Sequence, residues 1–115
     1  MSNKNFGYDT VEIANNGTVS ASFQIPAWAY FIGVFFPAMD DGNITLEIST
    51  DDTNFYPVLD PVDGDDLVVC KSGADAGYLD ISDYVRFVNP NMYLRLKSAT
   101  SQSSGAVTLY IYFAG

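Results

Sequence analysis

The sequence contains no histidine, a single cysteine and only five basic residues among 115. Without histidine, the chain lacks the side chain that most often serves as general base or metal ligand near neutral pH. The lone Cys70 excludes an internal disulfide and a cysteine-based zinc site, and we interpret it as a small buried strand residue. We therefore expect no catalytic residues, no bound metal, no cofactor and no enzymatic activity.

Basic residues are scarce, and the acidic ones are concentrated in one region. The formal net charge is −9; the segment Asp40–Asp83 holds 12 acids and one base, Lys71, which gives −11, and the remainder carries +2. Such a chain repels nucleic-acid phosphates, so we expect no nucleic-acid partner. The segment is interpreted as a solvated acidic surface, with a face matched to a basic partner as the alternative.

The sequence also lacks an apolar run long enough to cross a bilayer. The longest run, "IPAWAYFIGVFFPAM", has about 15 residues and contains Pro26, Gly33 and Pro37, whereas a span needs roughly 20. The first ten residues, "MSNKNFGYDT", are polar and do not resemble a signal peptide. We expect no membrane partner, and a soluble protein of intracellular or virion-associated origin.

Alternation of polar and apolar residues dominates the pattern that is present. Residues 10–25 predict a hairpin around Asn16-Gly17 with a type I′ turn, followed by one apolar face. That face is predicted to hold Val19, Ala21, Phe23 and Ile25. About eight or nine such segments recur at the 8–12-residue spacing of an all-β domain.

We therefore predict an all-β fold: a two-sheet antiparallel sandwich of the jelly-roll type with about eight strands. An immunoglobulin-like sandwich is the second choice, although its Cys…Trp…Cys signature is absent. The predicted organisation is a polar N-terminal arm at residues 1–9 and a single sandwich domain at 10–115.

The stretch "AWAYFIGVFFPA" is apolar on both faces. It predicts a central strand that is covered on both sides, or one whose outer face meets another subunit. The residues predicted to form contacts between subunits are Trp28, Tyr30, Tyr110 and Tyr112. The aromatic run Trp28, Tyr30, Phe31, Phe35 and Phe36 is also compatible with a sugar-stacking platform.

The acidic stretch "ISTDDTNFYPVLD" was tested as a calcium loop. Counted from Asp52, an EF-hand would require a carboxylate or amide and a glycine where Tyr56 and Pro57 stand, so the spacing fails. Aspartate is favoured in turns because its side chain accepts hydrogen bonds from nearby backbone N–H groups. We predict a turn here, followed by a strand that Pro57 restricts to a sheet edge.

Three stretches, within a layout that spans residues 10–115, carry a family resemblance: "STDDTNFYPV", "YLDIS" and "MYLRLKSAT". They resemble stretches of the small jelly-roll decoration, or cement, proteins of tailed-phage capsids. The resemblance implies a virion protein, made in the host cytoplasm, that sits on the capsid surface as a dimer or trimer. Its partner would be the major capsid protein, whose subunit contacts it would stabilise.

The same resemblance implies that the N-terminal arm contacts the capsid. The side chains available for this contact are Lys4, Phe6 and Tyr8. A disordered terminus is the alternative for this segment. The alternative for the whole protein is a carbohydrate-binding or tail-associated adhesion module.

Overall fold

The computed structural model describes residues 6–40, 42–72, 76–85 and 88–115. Within these residues the fold is nearly all β, with one helical turn. Its elements in chain order are β1 (Phe6–Ile13), β2 (Phe31–Phe36), β3 (Gly42–Ser49), β4 (Tyr56–Pro57), β5 (Val68–Ser72), β6 (Gly77–Asp80), α1 (Ser82–Val85), β7 (Tyr93–Ser98) and β8 (Val107–Ala114). The predicted all-β class and its eight strands are confirmed.

The strands form two antiparallel sheets. Sheet I has the order β1-β8-β2-β6, and its β1–β8 pairing is unbroken from the Phe6–Ala114 pair to the Ile13–Val107 pair. In sheet II, β3 is central and pairs with β7, β4 and β5. β7 occupies one side of β3 along most of its length. The other side of β3 pairs first with β5 and then with β4.

Residues 18–25 act as an additional, irregular strand beside β7. Phe23 and Leu94 exchange two backbone hydrogen bonds of 2.8 Å, and Ser98 N donates to Thr18 O at 2.7 Å. For comparison with a jelly roll, this segment is counted as the second strand, and β4 and β5 are counted together as the fifth. The order in sheet I is then first, eighth, third and sixth, and the order in sheet II is second, seventh, fourth and fifth. This is the strand order of a jelly-roll sandwich.

The turn at Asn16-Gly17 differs from the predicted hairpin. Only Asn16, with φ of 65°, has positive φ, and Gly17 N donates to Ala14 O at 2.8 Å. A type I′ turn needs positive φ at both central residues, so the predicted turn type was wrong. After the turn, the chain forms one bridge back to β1, between Ser20 and Ile13, and runs on beside β7 of sheet II.

The predicted apolar face of residues 19–25 is also corrected. Phe23 and Ile25 are buried, but Ala21 is exposed, and Ser20 is buried in its place. The Ser20 hydroxyl donates to Ala21 O at 2.8 Å and accepts from Leu96 N at 3.0 Å. Crossing between the sheets breaks the strict alternation, and these hydrogen bonds satisfy the polar side chain that becomes buried.

The core lies between the two sheets and is built from the inward aliphatic side chains of both. Its fully buried members include Ile13, Val34, Ile44, Leu46, Ile81, Leu94, Leu96, Leu109 and Ile111. β2 is an interior strand of sheet I, as predicted for the doubly apolar segment. In the described part of the chain, β4, with Pro57, pairs with β3 alone and therefore lies at an edge, as predicted.

Residues Phe6–Asp9 belong to β1 and not to an arm outside the sandwich. All four pair with β8, so the domain begins at Phe6 in the part of the chain that the structure describes. Residues 1–5 lie outside the described residues.

We expect Leu46→Ala to lower the free energy of unfolding by about 2–5 kcal/mol, because Leu46 is fully buried and its truncation leaves a cavity in the core. Denaturant titration followed by tryptophan fluorescence measures the change. Val62→Ala is the control: Val62 is 92% exposed, so truncation there should change stability by less than about 0.5 kcal/mol. Equal effects of the two substitutions would contradict the placement of the core.

Candidate functional site

The outer faces of the two sheets differ in chemistry. On sheet II, Glu47 and Arg95 lie side by side on adjacent strands, with Arg95 Nε 2.6 Å from Glu47 Oε1. The Arg95 guanidinium also stacks over the ring of Phe55, 4.0 Å from its centroid. The chain between β3 and β4 thus packs on this face, and the charges of Glu47 and Arg95 compensate each other.

The outer face of sheet I carries aromatic side chains instead. Because side chains alternate along a strand, the residues between the buried positions of β1, β2, β6 and β8 point outward together. Seven aromatic residues share this side, which we call the aromatic face: Phe6, Tyr8, Phe31, Phe35, Tyr78, Tyr110 and Tyr112. Six of them are among the exposed large hydrophobic residues, and Tyr112 is half-buried.

Strand register places these side chains in rows across the sheet. One row runs Thr10, Tyr110, Phe35, Tyr78, and the next runs Tyr8, Tyr112, Gly33, Asp80. The ring centroids of Phe35 and Tyr78 are 4.6 Å apart, and those of Tyr8 and Tyr112 are 5.1 Å apart. These distances are within the range of favourable aromatic pairs, so the rings support one another.

Gly33 gives Tyr78 room to lie across the sheet. A Cβ at position 33 would collide with Oη, Cε1 and Cζ of the Tyr78 ring. The absence of a side chain at this row position therefore lets a neighbouring ring cover the backbone. A glycine inside a strand often marks such a close approach.

The packing of Tyr78 perturbs its hydroxyl. Partial burial raises the pKa of Tyr78 above the ordinary value of 10.0, and the nearby Asp80, Tyr112 and Tyr8 raise it further. Each of these causes disfavours the phenolate. The hydroxyl thus stays neutral, as a hydrogen-bond donor, throughout the physiological pH range.

The aromatic face carries little charge. The sequences of β1, β2, β6 and β8 contain no lysine or arginine. Glu12 and Asp80, which are acidic, lie on the two outermost strands of sheet I. The face therefore combines an apolar, neutral centre with acidic margins.

The structure brings together residues that the sequence assigned to two separate contacts. Phe6 and Tyr8, assigned to a capsid contact, share the aromatic face with Tyr110 and Tyr112, assigned to contacts between subunits. The reason is that β1 pairs with β8 along its entire length. Lys4 lies outside the described residues.

Trp28 and Tyr30 lie beside the aromatic face, at one end of sheet I. Tyr30 N donates to Ala114 O at 2.8 Å, and the Trp28 backbone carbonyl packs against Gly115. Trp28 is 37% exposed and Tyr30 is 79% exposed. Both precede β2, which begins at Phe31.

Three residues of the aromatic face were not predicted as contact residues from the sequence: Phe31 and Phe35, which belonged only to the alternative sugar-stacking platform, and Tyr78. The double apolar pattern of residues 28–36 already placed Phe31 and Phe35 opposite Ile32 and Val34. That pattern could have identified them as outward residues once the inward set was known. Tyr78 had no such signal, because its position depends on the pairing of β6 with β2.

The acidic stretch after β3 is a turn, as predicted. The Asp51 carboxylate accepts hydrogen bonds from Thr53 N at 2.9 Å, Asn54 N at 2.8 Å and the Ser49 hydroxyl at 2.9 Å. These hydrogen bonds hold the pKa of Asp51 well below its ordinary range. The bond from the backbone N–H of Asn54 contributes most to this shift. The carboxylate thus organises the loop that carries Phe55 onto sheet II.

A second polar cluster lies at one corner of the sandwich. Gln102 is almost fully buried; its Nε2 donates to the Ser98 hydroxyl at 3.1 Å and its Oε1 accepts from Asp40 N at 3.0 Å. An open cavity of about 280 Å³ adjoins it, and hydrogen bonds from Ser104 and Ser103 lower the pKa of Asp40 on its wall. No signal in the sequence indicated this buried glutamine, because its partner Asp40 lies 62 residues away along the chain.

Among the described residues that line this cavity, Asp40 is the one carboxylate, whereas glycoside hydrolysis needs two across a cleft. Among the described residues no group of histidine, cysteine or acidic side chains is arranged to hold a metal ion. No helix in the described part of the chain is long and apolar enough to span a bilayer. The expected lack of enzymatic activity stays a prediction.

We expect Gly33→Ala to displace the Tyr78 ring and to lower the pKa of Tyr78 toward 10.0, because the hydroxyl becomes better hydrated. Titration of the tyrosine ring resonances by NMR measures this pKa. Gly7→Ala is the control, since a Cβ there meets nothing within 4 Å. An unchanged Tyr78 pKa in Gly33→Ala would contradict the close approach.

We expect Asp51→Asn to flatten the acid dependence of stability. The folded-state pKa of Asp51 is lowered, so its contribution is present above the unfolded-state value of about 3.9 and is lost as pH falls below it. Denaturant titrations at about pH 7 and about pH 3 should differ less in this variant than in the wild type. Asp52→Asn, which leaves the hydrogen bonds of Asp51 in place, is the matched control. Identical pH profiles of Asp51→Asn and the wild type would refute the role of Asp51.

Comparison with known proteins adds no relationship by sequence. No protein-family model matches this chain, and no curated protein matches it. The jelly-roll sandwich and its aromatic face are therefore the observations from which function has to be inferred.

Proposed function

We propose that this protein is a non-enzymatic structural protein of a tailed-phage virion, which binds the outside of the capsid and stabilises contacts between capsid subunits. The aromatic face is the observation that carries the proposal. Contiguous patches of exposed apolar side chains are often functional and mark interaction sites on soluble proteins. Tyrosine is also among the residues that contribute most to binding energy at interfaces.

The composition of the face favours a protein as its partner. Phe6, Phe31 and Phe35 have no polar atom in their side chains, so they gain most from a contact that excludes water. The acidic margins at Glu12 and Asp80 suit a partner surface with basic residues around an apolar centre. We assign the face to the major capsid protein on these grounds and on the resemblance to decoration proteins.

The size of the face suits a contact that is repeated over a shell. Four strands about 4.8 Å apart, each contributing about six residues of 3.3 Å, cover roughly 400 Å². A partner surface of equal size brings the total to roughly 800 Å², below the usual range for a stable isolated pair. Bound at many equivalent positions, such a protein shifts capsid subunits toward the assembled state by mass action.

A carbohydrate-binding or tail-associated adhesion module is the second candidate. The partial exposure of Trp28 and the four tyrosines of the face favour it, because sugar rings stack on such side chains. The paired rings are tilted by 44–47° to one another and do not form a flat platform. This tilt favours interlocking with protein side chains.

We expect Tyr110→Ser to weaken binding to capsid shells that lack the protein by at least about tenfold, since it removes a ring near the centre of the face. Co-sedimentation of purified protein with shells over a concentration series measures the affinity. Tyr56→Ser is the matched control: Tyr56 is also exposed, but it lies on β4 of sheet II. Equal affinities of the two variants would contradict the assignment of the face.

Shells saturated with the wild-type protein should also withstand heating or chelation better than bare shells. Equal resistance with and without the protein would contradict the cementing role.

A glycan array probed with the wild type distinguishes the second candidate from the first. Only an adhesion module should bind a defined sugar and lose that binding in Tyr110→Ser.

A further inference from the structure

The free edge of β1 is the longest regular strand edge in the described part of the chain. β1 pairs with β8 on one side only, and eight consecutive pairs without a bulge keep it regular. The opposite edge of sheet I, β6, has four residues. On sheet II, Pro57 interrupts the edge formed by β4 and β5, and the β3–β5 register shifts between Ile44 and Thr45.

Backbone groups on this edge are available for hydrogen bonding. Glu12 O accepts from Ala21 N at 3.1 Å on the side away from β8. Because the N–H and C=O of every second strand residue point the same way, Phe6, Tyr8 and Thr10 direct theirs to that side too. Among the described residues none bonds to these groups of Phe6, Tyr8 and Thr10. Six backbone groups thus form an open ladder.

We propose that β1 pairs antiparallel with β1 of a second copy, about a two-fold axis at Tyr8, so that the two copies of sheet I form one continuous eight-stranded sheet. In this register Phe6 lies opposite Thr10 of the partner subunit, and Tyr8 lies opposite Tyr8 of the partner subunit. The three pairs form about six backbone hydrogen bonds. The pairing closes the open ladder of both copies at once.

The charge on β1 selects this register over its neighbour. Asp9 and Gly7 project to the side opposite the aromatic face, as alternation requires. With the axis at Tyr8, Asp9 lies opposite Gly7 of the partner subunit, where a Cβ would meet nothing within 4 Å of the same chain. Moving the axis to Asp9 would place two carboxylates directly opposite each other, which is unfavourable.

Moving the axis toward the C-terminal end of β1 is blocked by this chain's own fold. With the axis at Thr10, Glu12 and Ile13 would have to pair with the partner. Glu12 O is already bonded to Ala21 N, and Ile13 forms a bridge with Ser20. The Tyr8 register uses residues 6–10 alone, all of which are free on this edge.

The pairing also extends the aromatic face. The two Tyr8 side chains become neighbours on the outer side of the joined sheet, so the faces of both copies form one surface of about twice the area. The larger surface would favour the proposed capsid contact. The pairing itself does not depend on that contact, because it uses the edge of β1 and not the aromatic face.

Self-association should respond to concentration and to salt. Each copy carries a formal charge of −9, so the two repel each other, and added salt screens this repulsion. We expect sedimentation equilibrium of the purified full chain to show a monomer–dimer equilibrium with a dissociation constant that falls as sodium chloride is raised from about 0.05 to about 0.5 M. A monomer mass at every concentration and salt level would overturn the proposal.

Substitutions at Gly7 test the register through charge. Gly7→Asp places an acid opposite Asp9 of the partner subunit and should raise the dimer dissociation constant about three- to tenfold, whereas Gly7→Lys should lower it by a similar factor. Gly7→Asn is the matched neutral control, with nearly the shape of aspartate. If the three variants dimerise equally, the register is wrong and the proposal fails.

A second substitution tests the backbone ladder. Tyr8→Pro removes an N–H that β8 does not use, and proline is tolerated at a strand edge, so the monomer should keep its far-UV circular dichroism. Dimerisation should be abolished, while Tyr8→Ala, which keeps the N–H, should weaken it less. A dimer that persists in Tyr8→Pro contradicts pairing at this edge. If Tyr8→Pro does not fold, the Gly7 variants alone decide.

These measurements are independent of capsid binding. Loss of dimers in Gly7→Asp with shell binding retained would leave both proposals standing. Failure of the wild type to dimerise, with shell binding intact, would overturn the pairing alone. Failure of the wild type to bind shells, with the dimer intact, would overturn the proposed function alone.

Discussion

The packing of aliphatic side chains between the two sheets sets the position of every other feature of this molecule. Ile44, Leu46, Leu94 and Leu96 from sheet II meet Val34, Leu109 and Ile111 from sheet I in a core from which water is excluded. Because side chains alternate along a strand, burial of one set determines the direction of every residue between them. The outward set on sheet I happens to be aromatic, and the core therefore creates the aromatic face.

A sandwich of two layers can cover each sheet on one side only. Sheet II compensates on its outer side with the Glu47–Arg95 pair and the packed ring of Phe55, which satisfy its polar groups. Sheet I has no described segment lying across its outer side, and its rings pair with one another instead. The outer side of sheet I is therefore the more apolar of the two outer sides.

Polar groups at the connections hold the layers in place. Ser20 and Gln102 are buried, and each bonds to backbone or side-chain groups of another segment. Their hydrogen bonds are made where the chain crosses from one sheet to the other or turns at a corner. A buried polar group without a partner would be costly, so these contacts specify where the crossing occurs.

Alternation, turn residues and Pro57 were sufficient to predict the all-β class, the edge position of β4 and the turn at Asp51, because each depends on neighbours along the chain. The outward position of Phe31 and Phe35 was likewise implicit in residues 28–36. The irregular segment 18–25 could not be predicted in this way, since Ser20 becomes buried only through its bonds to Leu96 and Ala21.

Local periodicity in the sequence is enough to specify most of the strands and the sides on which they are apolar. The pairing of β1 with β8, the position of Tyr78 over Gly33 and the joining of residues from four separate strands in one face become apparent only in the folded chain. These are contacts between segments far apart in the chain. They arise from pairing register and strand order, and no local pattern of residues encodes either.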